Sequence, residues 1–204
     1  MNGYQEKITR IRAHLALEGA AGAVLSTPDN IFYATGFSSV MDGWHLVEPI
    51  AAVFVPTDAA SPLVLILPEA SVISPIVSER GGHPVYFDRL ATFDMLNFCE
   101  TARAEDAHLA LPDDLLAELG DVMEQVEGQC EPDIIQTIAA CVSRHISKAE
   151  RVLFDDLRVA ARVEALIGQA SGDALDVMFA ARAVKTADEI DTLRESGQIA
   201  DAIM

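Results

Sequence analysis

Histidine, cysteine and carboxylate side chains are the groups in this sequence able to bind a metal or move a proton, and their spacing offers little. The five histidines are His14, His45, His83, His108 and His145. None is read as paired with another His, a Cys or a carboxylate at the H-x-H, H-x-x-x-H or H-E-x-x-H spacings that put two ligands on one face. No metal ligand is therefore assigned. His14 shares a predicted helix with Arg10 and Arg12 and is read as a surface residue. Gly36-Phe-Ser-Ser-Val40 lacks the second glycine of a G-x-S-x-G nucleophile elbow. Gly19-Ala-Ala-Gly22 leads into a strand, not into the helix that a phosphate cradle requires. The acidic pairs Asp113-Asp114 and Asp155-Asp156 are adjacent, so their side chains diverge and form no acid–base dyad. Asp113 and Asp156 are read as helix caps. The expectation is a chain with no catalytic residue of its own.

One segment has a composition suited to recognition. Asn30 to His45, read as a loop, holds Phe32, Tyr33, Phe37, the single Trp at position 44 and His45, with Gly36 and Gly43 among them. Aromatic side chains beside glycines on a loop are a common way to build a binding surface. Packing of Phe32, Tyr33 and Phe37 into the core beneath the loop is the competing reading, and for Trp44 and His45 both stay open.

The elements that would position this loop follow from periodicity. Ile8, Ile11 and Leu15 predict an amphipathic helix over about Gln5–Leu17, ended by Gly19. Ala23–Thr27 reads as a short buried strand, and Thr27-Pro-Asp-Asn30 as turn chemistry. Ile50–Val55 and Leu63–Leu67 are continuous apolar runs bounded by prolines, the pattern of central strands covered on both faces. Their short polar connection predicts an antiparallel hairpin. His83–Phe87, Ala107–Leu111 and Val152–Phe154 are further candidate strands. Helices are predicted from Asp113 to Gly128, from near Pro132 to Ile146, and from Asp156 to Gly168 with Leu157, Ala160, Val163 and Ile167 inward. Thr186-Ala-Asp-Glu189 is a capping box that opens a last helix, with Ile190, Leu193, Ile199 or Ala200, and Ile203 inward. That helix reaches Met204 without a C-cap, which predicts a chain cut off in mid-pattern. Strands alternating with helices predict an α/β fold, a mixed sheet flanked by helices.

Charge narrows the partners. With 32 Asp and Glu against 14 Lys and Arg, the net charge of −18 repels nucleic acid and anionic membrane surfaces. Cys99, Cys130 and Cys141 make an odd count with no paired spacing, which is read as reduced thiols in a cytoplasmic protein. The N-terminus lacks the basic-then-apolar pattern of a signal peptide, and no apolar run approaches the roughly 20 residues needed to span a bilayer.

Two segments carry a resemblance. Gly22-Ala-Val-Leu-Ser-Thr-Pro-Asp-Asn-Ile-Phe-Tyr-Ala-Thr-Gly-Phe37 resembles the signature of the creatinase, prolidase and aminopeptidase P family, in which a glycine and an apolar run precede Pro, Asn, Tyr and a Gly–aromatic pair. Ala181-Arg-Ala-Val-Lys-Thr-Ala-Asp-Glu-Ile-Asp-Thr-Leu-Arg194 resembles the segment that leads into the catalytic domain of the same enzymes. The resemblance implies an N-terminal "pita-bread" family domain over 1–180, followed by a linker and the first helix of a catalytic domain over 181–204. It also implies a homodimer, and a domain that covers the active site of its own C-terminal catalytic domain or of the neighbouring subunit. The covering loop would be Phe37 to Glu48, with Phe37, Asp42, Trp44 and His45 as candidate substrate contacts. The implied substrate is an Xaa-Pro peptide, with a creatine-like amidine as the alternative; a non-enzymatic binding protein of the same fold is a further alternative. Two divalent metal ions, Mn, Co or Zn, would be held by two Asp, one His and two Glu of the following domain, and none by this chain.

Overall fold

The computed structural model describes residues 3–39, 48–95 and 112–203. The chain opens with helix α1 (Gly3–Leu17), strand β1 (Gly22–Leu25) and helix α2 (Pro28–Thr35). Strands β2 (Ala52–Pro56) and β3 (Val64–Pro68), helix α3 (Ser74–Arg80) and strand β4 (Arg89–Phe93) follow. Then come α4 (Asp113–Met123), α5 (Ile134–His145), β5 (Val152–Phe154), α6 (Leu157–Ile167), β6 (Ser171–Asp173), α7 (Leu175–Ala183) and α8 (Ala187–Ile203). The six strands form one mixed sheet in the order β4-β3-β2-β1-β5-β6. β1 runs antiparallel to β2 and β2 to β3, as the hairpin reading requires, while β3–β4, β1–β5 and β5–β6 are parallel.

Strand residues alternate between the two faces, and both faces are covered. Ala23, Leu25, Val53, Val55, Leu65, Leu67 and Leu153 pack with α1, α2 and α7. Val24, Phe54, Val64, Ile66, Val152 and Phe154 pack on the other side against Ile134, Ile138 and Val142 of α5 and Val159 and Val163 of α6. Phe54 is fully buried in the middle of this second layer; burying a side chain of that size contributes roughly 1.5–3 kcal/mol. The free edge of β4 is not left open. Leu90 N donates to Gln125 O, Glu127 N to Leu90 O at 2.7 Å, and Glu131 N to Thr92 O.

Several sequence expectations need correction. The segment from Asn30 is not all loop: Pro28 occupies the first turn of α2, where its missing N–H costs nothing, and the helix runs on to Gly36, whose φ of 77° ends it. His83–Phe87 is no strand. Pro84 has no N–H to give a ladder, and the parallel partner of β3 is Arg89–Phe93 instead. Asp113 does not cap α4: Pro112 stands at the cap position without a side-chain bond, and Asp113 and Asp114 lie in the first turn, where the helix dipole favours anions. Gly128 lies beyond the end of that helix. Asp156 does cap α6, accepting from Arg158 N at 2.8 Å, but Leu157 is exposed. The capping box is formed as read: Thr186 N donates to Glu189 Oε2 at 2.9 Å and Glu189 N to Thr186 Oγ1 at 3.2 Å. The apolar residues of α8, however, are not inward; Ile190, Leu193, Ile199 and Ile203 all face solvent. The candidate strand Ala107–Leu111 lies outside the described residues. Among the described residues, no helix is long and apolar enough to cross a membrane.

Candidate functional site

β1 and β5 are parallel neighbours, so their C-terminal ends emerge side by side. Outside the carboxyl ends of strands is where α/β sheets commonly place their sites. Asp155 follows β5 directly and turns its carboxylate to the chain leaving β1. Oδ1 accepts from Ser26 N at 2.8 Å and Ser26 Oγ at 3.1 Å. Oδ2 accepts from Thr27 N at 3.1 Å, Thr27 Oγ1 at 2.6 Å and Asn30 Nδ2 at 3.0 Å. Each oxygen thus receives an N–H and an O–H, and the first turn of α2 is tied to the end of β5. Thr27–Asn30, read as a turn capped by Asp29 or Asn30, is instead the N-cap and first turn of α2, and the acceptor that holds it was the part that sequence did not reveal.

Asn30 extends the network. Its Oδ1 accepts from Arg182 of α7 at 3.1 Å, and the Arg182 guanidinium lies 5.9 Å from the Tyr33 ring centroid. Tyr33 Oη donates to the Ala181 carbonyl at 2.8 Å. Lys7 of α1 stands 4.8 Å from the Tyr4 ring, 5.1 Å from the Tyr33 ring and 3.8 Å from a Glu189 carboxylate oxygen. Tyr4, Lys7, Tyr33, Arg182 and Glu189 line a cleft of about 510 Å³ between α1, α2, α7 and α8. Lys7, Arg182 and Lys185 face Asp29, Asp188 and Glu189 there, so the charges balance. Burial, and then Asp188, raises the Tyr4 phenol; burial, and then Glu189, raises that of Tyr33. Both phenols stay protonated at neutral pH and act as hydrogen-bonding groups. The arrangement is suited to holding and orienting a polar group.

Of the four candidate substrate contacts, Phe37 is described. Its side chain is 4% exposed and belongs to the core layer of α1 and α2, and its N–H donates to Thr35 Oγ1 at 3.0 Å. Asp42, Trp44 and His45 lie outside the described residues. α2 closes at Gly36, whose N–H donates to Phe32 O at 2.8 Å, and Glu48 pairs with Arg162 of α6 at 2.7 Å.

One cluster contradicts the reading that no histidine pairs with a second ligand. Cys141 and His145 stand four apart on α5 and share a face. Ligand atoms of Glu127, Cys141 and His145 all lie within 4.8 Å of one another. His145 Nε2 is 2.9 Å from Glu127 Oε1 and 3.1 Å from Oε2, and Arg144 donates to Oε1 at 2.9 Å. The C-x-x-x-H spacing was visible in sequence and passed over; Glu127, brought in from the strand-like segment beside β4, was not visible there. Burial, with the Glu127 carboxylate beside it, pushes the Cys141 thiol well up.

No family model matches the sequence, and no curated protein matches it. Solved structures do. A dipeptidase, PepE, from Mycobacterium ulcerans superposes with a TM-score of 0.60 at 16% identity, over 98% of this chain and 42% of that one. A prolidase from Thermococcus sibiricus gives 0.58 at 17%, over 100% of this chain and 43% of its own. A proline dipeptidase structure from Streptococcus pneumoniae gives 0.50 at 18%, over 87% of this chain and 98% of its own. This chain therefore spans about two fifths of the length of the first two, and it shares with all three the mixed sheet flanked by helices that was expected.

Proposed function

We propose that this chain is the N-terminal, non-catalytic domain of a creatinase/prolidase-type hydrolase of C–N bonds, most simply one that acts on Xaa-Pro peptides. The observation that carries the reading is coverage: a fold likeness over 98–100% of this chain accounts for 42–43% of a dipeptidase and a prolidase. The two sequence segments with the family resemblance support it, because both have structural work in this fold. Gly22–Phe37 builds β1, the Asp155-bound turn and α2, and Thr186–Glu189 starts α8. The solvent-facing apolar residues of α8 support a surface that a following catalytic domain covers.

In this reading the segment Phe37–Glu48 covers the substrate, with Asp42, Trp44 and His45 as its contacts. The network of Asp155, Asn30 and Arg182 fixes where that segment starts. Residues 181–204 lead into the catalytic domain, and the protein is a homodimer. The two catalytic metal ions, Mn, Co or Zn, belong to the following domain, where they would supply Lewis-acid polarisation of the scissile carbonyl and activation of water. The Glu127–Cys141–His145 cluster does not fit that pair: it has one carboxylate and a thiol where two metals sharing an oxygen-rich site need several carboxylates.

The test is to express this chain alone and together with the coding sequence that follows Met204. Both products are assayed on an Xaa-Pro dipeptide with added Mn²⁺. Hydrolysis by the longer protein and none by this chain supports the reading. Hydrolysis by this chain alone overturns its non-catalytic part. A longer protein that cleaves creatine without added metal, or cleaves neither substrate, replaces the peptidase reading with a metal-free amidinohydrolase or a binding role.

A further inference from the structure

From the geometry of Glu127, Cys141 and His145 we infer that this domain carries a site for one thiophilic divalent cation of the Zn²⁺ class. The three side chains supply sulfur, nitrogen and oxygen, the donor set that Zn²⁺ takes in its tetrahedral sites. Two come from one helical face, four residues apart. The third is fixed independently, because Glu127 N is bonded to Leu90 O of β4 at 2.7 Å. The backbones that carry the ligands are therefore held by the sheet and by α5 before any ion arrives.

The ligand atoms now lie within 4.8 Å of one another, and a tetrahedral Zn²⁺ needs about 3.5 Å between ligands. The gap to close is about 1.3 Å, within the reach of side-chain rotation on fixed backbones. His145 Nε2 and the Glu127 carboxylate already face each other at 2.9 Å; a cation between them would take the place of the shared hydrogen, which moves to Nδ1 of a neutral ring or leaves to solvent. The thiol proton of Cys141 passes to solvent as the thiolate coordinates, and thiolate plus carboxylate neutralise the dication. Arg144 then holds the carboxylate from outside, the place where hydrogen-bonded neighbours orient metal ligands. The His145 ring is further held by stacking on Phe54, with centroids 5.7 Å apart and planes 20° from parallel. Cys141 is 1% exposed, whereas Glu127 and His145 are partly open. An ion would enter from their side, and water would complete the coordination.

This inference is independent of the hydrolase reading, since none of the three residues is assigned there to substrate or catalysis. The chain, stripped with chelator and kept reduced, is titrated with Zn²⁺ alone by calorimetry and with Co²⁺ by absorption. The expected result is one ion per chain, with a thiolate-to-cobalt charge-transfer band and the intense visible bands of tetrahedral Co²⁺. Cys141→Ser and His145→Asn should each abolish stoichiometric binding, and Cys130→Ser should leave it unchanged. Far-ultraviolet circular dichroism reports whether these variants fold. Glu127→Gln, at the partly exposed corner, repeats the test where the buried change is not tolerated, with a loss of at least about tenfold in affinity expected. No stoichiometric Zn²⁺, a cobalt spectrum without the thiolate band, stoichiometric binding that survives in folded Cys141→Ser, or an affinity unchanged in Glu127→Gln overturns the site.

Discussion

Asn30 and Asp155 are 125 positions apart in sequence, yet Asn30 Nδ2 donates to Asp155 Oδ2 at 3.0 Å. The same carboxylate takes two backbone N–H groups and two hydroxyls from Ser26 and Thr27. Removing it strands several partly buried donors at once. Asp155→Ala is expected to cost about 3 kcal/mol, since hydrogen bonds to a charged acceptor contribute more than neutral ones and orphaned donors add their desolvation. Urea unfolding measures it, and a loss below about 1 kcal/mol would mean that water replaces the carboxylate freely.

Asp156, the next residue, has a smaller and pH-dependent role. Its carboxyl is held below the usual carboxylate range by the hydrogen bond from Arg158, and also by the N–H of the same residue at the start of α6. A folded pKa below the unfolded one gives stability that is present above the unfolded value and lost as pH falls through the folded one. The Arg158 side chain is exposed, so the ion pair itself adds little. Asp156→Ala should cost about 1 kcal/mol at neutral pH as a lost cap, and less below about pH 4. A cost independent of pH would show that the charge plays no part.

Two glycines with the same backbone separate strain from crowding. Gly19 and Gly36 have φ of 63° and 77°. A Cβ on Gly19 meets nothing within 4 Å, while one on Gly36 meets the Tyr4 phenol and stands 2.9 Å from Pro84 O. Gly19→Ala should cost about 1–2 kcal/mol from left-handed strain. Gly36→Ala should cost clearly more and lower the melting temperature further. Equal losses would mean that Tyr4 and Pro84 give way.

Much of this fold was legible because local chemistry and packing agree in it. The runs Ile50–Val55 and Leu63–Leu67 are apolar on both faces, and β2 and β3 are buried on both faces. The Thr186–Glu189 box needs only a four-residue spacing, and it formed. β4 was missed because Arg89–Phe93 has one exposed charge and a polar Thr, and its place is set by pairing with β3 and with the segment around Glu127. The site was less legible for the same reason. Asp155 looked like half of an inert acidic pair, because its donors come from the other end of the domain. Cys141 and His145 gave a local signal, whereas Glu127 joins them only through the sheet edge.

Trp44 tests the covering segment. It lies outside the described residues, and its proposed role rests on the family resemblance. In the longer protein, Trp44→Ala is expected to raise KM or lower kcat for an Xaa-Pro dipeptide several-fold with little change in melting temperature. A large loss of stability with unchanged kinetics would place Trp44 in the core instead.

The α8 surface separates the behaviour of this chain alone from that of a larger protein. Leu193 and Ile199 are 59% and 62% exposed, so they contribute little to the domain as it stands. Leu193→Ser and Ile199→Ser should change the stability of this chain by no more than about 0.5 kcal/mol, the range of exposed positions without special contacts. If a catalytic domain covers this face, the same changes in the longer protein remove buried apolar area worth about 25 cal/mol per Å². They should then lower its melting temperature and loosen the two domains, seen as faster proteolysis near residue 185. Equal, negligible effects in both proteins would show that α8 stays in solvent, and would remove the docking part of the proposed function while leaving the fold likeness intact.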